Sequence, residues 1–416
     1  MKIDERSRTR AGETVQRIRY GISSISGKIL IIKHDPGSYI STSMKTHKMK
    51  LNCTPRPFTV ILIVFSFLML IASCSKDDSV EGEDDMSQTD DGPIDTNDDG
   101  PAPSGSIFFE DTFVLDEERM LVNFVLPQAT YDSFIQGDGD VTMVTEKAYE
   151  YFNDEFDYIV ILSVETVQPD GLFFGRSTSV QNQVQGIGSG IFDGTSNYGS
   201  AGRLKSVIYM PRTEYVRTGP FLHEIAHTWA NHGFIPTTVG GHWGYASAGG
   251  QLGGFDELVS LGGNSYRGRL NGGDGFGTFA NGGNSVPYGN IELYVMGLIG
   301  ADELQSVQVA VNPAPGSTFG EFTADAIDTH TASDLIAQHG ARVPNAENSQ
   351  KEFSALAIII STEQLSSAKI EDVSSDLENF SRTATPDSSW GSTYNFWLAT
   401  DEKASIRFKV LEADIQ

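Results

Sequence analysis

FLHEIAHTWANHG, Phe221–Gly233, gathers three histidines and a glutamate into thirteen residues. His223 and His227 are four apart, so a helix carries both imidazoles on one face, about one turn apart and close enough to share one ion. Glu224 stands beside them, able to reach a water on that ion without becoming a ligand. Leu222, Ile225, Ala226 and Trp229 give the helix an apolar side to seat it. The stretch therefore predicts a helix packed on a sheet, with a polar, chemically equipped face turned toward a cleft.

The flanks agree with that layer. Phe108–Phe113 and Met120–Leu126 read as strands, and Val144–Phe156 reads as an amphipathic helix with Ala148, Tyr151, Phe152 and Phe156 on one stripe. Tyr158–Ser163 and Lys205–Met210 are short buried strands. This order suits an α+β fold with a mixed sheet against the histidine helix. From Gly233 to Gly289 glycine is so dense that long irregular loops are expected. Order returns with a helix over Ile291–Leu298, a strand over Ala355–Ser361, a helix near Lys369–Phe380 and a strand over Ser405–Leu411. One domain spanning 107–416 is the preferred organisation, with a subdomain split near 315 as the alternative.

Cys53 and Cys74 are the only cysteines, so a metal in the body must be held by His and carboxylates. A working zinc site needs a third protein ligand and an open fourth position. His242, in GGHWGY, is the preferred third ligand, on a glycine-rich return fifteen residues past His227. Glu292, in NIELYVMGL, is the alternative, on a predicted helix. His232 on a continuing helix would point away from the pair.

HEIAH matches the HExxH signature of zinc peptidases. Taken with GHWG and ELYVMGL, it resembles a loosely defined group of secreted bacterial HExxH proteins over roughly residues 205–300, and HEIAH alone is specific. The strict metzincin pattern requires Gly at 230 and His at 233, where this chain has Ala230 and Gly233. The resemblance implies a zincin-like catalytic domain, Zn2+ on His223, His227 and a third ligand, and Glu224 as general base in peptide-bond hydrolysis. Tyr245 and Tyr294 are candidate oxyanion donors, and Met296 matches the methionine that underlies the metal in metzincin-type enzymes. By analogy, the Gly186–Gly199 stretch would border the substrate cleft as an edge strand. Two other readings keep the fold and change the role: an inactive zincin-like adhesin or glycan-binding module, and a zinc amidase acting on cell-wall material.

The N-terminal part reads as an export signal. Phe58–Ala72 is an uninterrupted apolar run behind Lys45, Lys48, Lys50 and Arg56. Fifteen helical residues span about 22 Å, short of the roughly 30 Å hydrocarbon core, so a secretory signal fits better than a membrane span. Ile71-Ala72-Ser73-Cys74 resembles the bacterial lipobox, which implies lipidation of Cys74 and an outer-membrane anchor. Ser75-Lys76-Asp77-Asp78 resembles the signal that sends Bacteroidota-type lipoproteins to the cell surface. Residues 75–106 hold eleven Asp/Glu and almost no large apolar side chains, the composition of a disordered tether. Asp95–Gly100 matches the opening of a calcium loop, but position twelve is Ser106, so it reads as linker. Residues 49–74 form the signal peptide, translation is expected to start at Met44 or Met49, and residues 1–48 are expected to lie upstream of the natural protein.

Net charge is −26. The first 74 residues hold 12 Lys/Arg against 4 Asp/Glu, so the remaining 17 against 51 leave −34 downstream. So acidic a body repels phosphate backbones and argues against nucleic-acid binding. Protein or peptide substrates, a membrane met through the lipid, and a monomer are expected.

Overall fold

The computed structural model describes residues 105–237 and 239–416. The expected signal segment, the expected lipidation site at Cys74 and nearly all of the acidic stretch 75–106 lie outside them.

An eight-stranded mixed sheet forms the frame. Its order is Ile107–Glu110, Phe113–Leu115, Leu121–Val125, Glu352–Ser361, Tyr158–Leu162, Ser206–Met210 and Arg176–Ser179, with Ser405–Arg407 also paired to Glu352–Ser361. The four middle strands run parallel. Arg176–Ser179 closes one edge antiparallel to Ser206–Met210, and an antiparallel meander closes the other.

Central parallel strands are covered on both faces, which is why YIVIL and SVIYM read as unbroken apolar runs and are buried throughout. Ile159 and Ile161 point into a core with Tyr131, Phe134, Val144 and Ala148 from the helices Gln128–Ile135 and Val141–Tyr149. Tyr158, Val160 and Leu162 point the other way, onto Leu222, Ile225, Ala226 and Trp229 of the histidine segment and onto Val373, Leu377 and Phe380 of the helix Ser367–Ser381. The α+β class with a mixed sheet is thus the observed one.

Several boundaries differ from the sequence expectation. Phe108–Phe113 is two short strands joined at Asp111-Thr112. The first helix pair ends at Tyr149, and Phe152 and Phe156 reach the core from the loop that follows. Within the glycine-rich region a hairpin forms, Glu257–Gly262 against Ser265–Leu270. Gly262 and Gly263 take positive φ at its turn, a backbone region open chiefly to glycine. Leu258, Tyr266 and Leu270 alternate onto a small core with Phe255, Phe276 and Phe322. Ser265–Leu270 also pairs with Glu321–Thr323, so strands on either side of position 315 share one sheet.

Candidate metal centre

The histidine helix is short, Phe221–Ala226, with His227 closing it in helical geometry. Asn284 Oδ1 accepts the Leu222 N–H, one of the helix's unpaired N-terminal donors, and Tyr288 Oη donates to the Leu222 carbonyl. One turn suffices because its apolar side is sunk in the core and its ends are tied by side chains.

After His227 the chain turns back. Asn231 governs the return: its Oδ1 accepts from Gly233 N and Phe234 N, and its Nδ2 donates to the Ile235 and His242 carbonyls. Trp243 is fully buried and fixes the position beside His242. His242 thereby joins His223 and His227, with one ligand atom from each lying within 4.8 Å of the others.

Each imidazole is held by its Nδ1. His223 Nδ1 lies 2.9 Å from Gln251 O, His227 Nδ1 3.2 Å from Ala230 O, and His242 Nδ1 2.7 Å from Gly240 O. A carbonyl only accepts, so each Nδ1 carries the proton and each neutral ring turns a bare Nε2 lone pair toward the others. Burial keeps the rings neutral. It pushes the His223 pKa down to about 4, with the nearby His242 adding a smaller push, and the His227 pKa down to about 3, with both neighbouring histidines helping; it lowers that of His242 as well.

The Nε2 atoms of His223 and His227 are 3.2 Å apart. Two lone pairs facing each other at that distance repel unless a cation lies between them. Ligand nitrogens at Zn–N bond lengths in a tetrahedral shell stand roughly 3.3 Å apart. The donor set therefore fits a metal ion held by three imidazoles. Their Nδ1–H bonds to carbonyls are the outer support such ligands characteristically receive.

Glu224 lies under the edge strand. A Cβ on Gly175 would stand 2.5 Å from its Oε1. Burial raises the Glu224 pKa to about 8, with the Ser177 backbone N–H partly opposing. The edge strand over the glutamate is Arg176–Ser179, not the Gly186–Gly199 stretch expected from the sequence, where only the short pair Gln181–Asn182 and Phe192–Asp193 forms. Phe173 and Phe174 precede it and are exposed; Phe279, 61% exposed, sets its ring 5.2 Å from that of His242.

The alternative third ligand lies elsewhere. Glu292 is fully buried on the helix Asn290–Met296, and both its oxygens are occupied by N–H donors. The tyrosines are in aromatic packing: Tyr245 lies against Phe276 and Phe322, and Tyr294 stacks on Phe234. Met296 is a buried core residue. His232 is exposed, its Nε2 3.0 Å from the His227 carbonyl. Sequence reasoning missed Gly175, Asn231 and Gln251; the NHG that follows the helix, a turn composition, was the available signal for Asn231. No family model, no curated protein and no solved structure matches this chain, so the site's chemistry rests on its geometry.

Proposed function

We propose that this chain is a zinc-dependent endopeptidase with a zincin-like catalytic domain, carried by an exported, surface-anchored lipoprotein. His223, His227 and His242 hold the metal, and Glu224 is the general base. The observation that carries the reading is the convergence of three carbonyl-anchored imidazoles, two of them 3.2 Å apart at Nε2, beside a buried carboxylate.

Zinc held there would polarise the scissile carbonyl and make water a competent nucleophile near neutral pH. Glu224 takes the proton from the attacking water at its carboxylate and returns it to the departing amine. Its raised pKa in the metal-free chain suits a group that must hold a proton between those steps, and a cation nearby lowers it again. Among the described strands Arg176–Ser179 pairs only with Ser206–Met210, so its outer edge, where the Ser177 N–H meets Glu224, has no strand partner and suits an extended peptide added as one more strand. That edge favours a peptide substrate over a glycan amide. Exposed Phe173, Phe174 and Phe279 suit large apolar side chains on it.

The test is Glu224→Ala and His242→Ala in the zinc-loaded chain, assayed on casein and a peptide library with metal analysis alongside. Glu224→Ala should keep one zinc and lose turnover; His242→Ala should lose most of the metal. Full turnover by Glu224→Ala would refute the mechanism.

A further inference from the structure

Glu292 is a carboxylate without a cationic partner among the described residues, buried among four N–H groups. Oε1 accepts from Trp243 Nε1 at 2.9 Å and Leu252 N at 2.8 Å; Oε2 accepts from Gln251 N at 2.9 Å and Gly289 N at 2.8 Å. Burial raises its pKa, yet the donors select the charged form: a protonated carboxyl would turn an O–H against one of them. The loop is shaped for this approach, since a Cβ on Gly250 would lie 2.1 Å from Oε2.

The Leu252 N–H and the Gln251 C=O are the two ends of one peptide unit. The first donates to Glu292; the second accepts from His223 Nδ1 at 2.9 Å. The carboxylate and the imidazole are therefore joined in line through a single peptide plane. Hydrogen bonds in series polarise one another, so the charge on Glu292 makes the Gln251 oxygen a stronger acceptor. The same carboxylate holds Trp243, the residue next to His242.

We propose that Glu292 is a positioning residue that acts on the metal centre through the 251–252 peptide, fixing the His223 tautomer and raising the basicity of its Nε2. It takes the part that a directly bonded carboxylate plays behind many metal-bound histidines, with a peptide unit interposed. The inference rests on reading the three histidines as a zinc site.

The test uses the chain loaded with zinc, with affinity measured by chelator competition. Glu292→Gln is expected to weaken zinc by about 10–100-fold, the range for loss of such outer partners. It should also move the His223 Nδ1–H proton upfield in the NMR spectrum while those of His227 and His242 stay. In the unsubstituted chain, zinc loading should move the Leu252 amide proton downfield and leave that of Gly289, which lies off the relay, in place; this measurement stands even where Glu292→Gln does not fold. Unchanged affinity and an unmoved His223 proton in a folded Glu292→Gln protein would overturn the relay. So would a Leu252 amide indifferent to zinc. An unsubstituted chain that binds no zinc refutes the metal site itself, a separate and recognisable result.

Discussion

Gly175 lies against Glu224 so closely that a Cβ there would stand 2.5 Å from Oε1. The glycine lets the edge strand cross the carboxylate. Gly175→Ala should therefore displace Glu224, the softer of the two partners, and leave the fold intact. A misplacement of about 1 Å at a reacting group costs on the order of 100-fold in rate. Turnover should fall by that order while bound zinc stays at one equivalent. Full kcat in the alanine variant would show that the strand does not set the carboxylate.

Zinc should stabilise the chain by mass action. At a free concentration of 100 times Kd the gain is about 2.7 kcal/mol, visible as a rise in Tm. His242→Ala should abolish most of that rise, because two imidazoles remain where three converged. A His242→Ala protein with the full zinc-dependent rise would remove His242 from the ligand set.

Asn231 should matter as much to the site as a ligand, although it touches no metal. Asn231→Ala leaves the Gly233 and Phe234 N–H groups and the His242 carbonyl without their side-chain partner. Unmet buried groups cost about 1–3 kcal/mol, and the loop carrying His242 loosens. Thermal unfolding should show the loss, and chelator competition a zinc affinity down by about tenfold. Unchanged affinity would mean that Trp243 alone positions His242.

The legibility of this molecule follows the range of its interactions. The strands YIVIL and SVIYM and the histidine pair were readable because their cause is local: an unbroken apolar run, or a four-residue spacing. The hairpin Glu257–Leu270 was not, since glycines at its turn and at Gly268 hide the alternation of Leu258, Tyr266 and Leu270. Glu292 looks like a ligand in the sequence because a carboxylate on a helix near a zinc motif is a reasonable donor. Only folding reveals that Gln251, Leu252, Trp243 and Gly289 saturate it. The edge strand Arg176–Ser179 is invisible in the sequence because RSTS carries no apolar alternation; its place is set by pairing with Ser206–Met210.

Acid should destabilise the metal-free chain through the same histidines. Burial lowers the His223 pKa from 6.5 to about 4, so the folded state prefers the neutral ring. A group depressed in this way contributes its full stability above pH 6.5 and loses it as pH falls through about 4. For His223 the swing is on the order of 3 kcal/mol, and His227, pushed down to about 3, acts in the same direction. Denaturant unfolding of metal-free protein between pH 7 and 4 should show the decline, smaller in His223→Gln. An equal slope in that variant would assign the acid sensitivity to other groups.

Phe279 should tune substrate choice without holding the metal. Its ring lies 5.2 Å from that of His242 and most of it faces solvent, so removing it opens little cavity and should leave both stability and zinc affinity close to unchanged. An apolar side chain beside the scissile bond would cover that ring, and losing such a contact costs about 1–3 kcal/mol of discrimination. Phe279→Ala should thus reduce kcat/KM for peptides with a large apolar residue at one flanking position by about tenfold or more, and barely affect peptides with glycine there. A peptide library resolved by cleavage position reads this directly. Equal losses on all peptides, or none on any, would take substrate recognition away from Phe279.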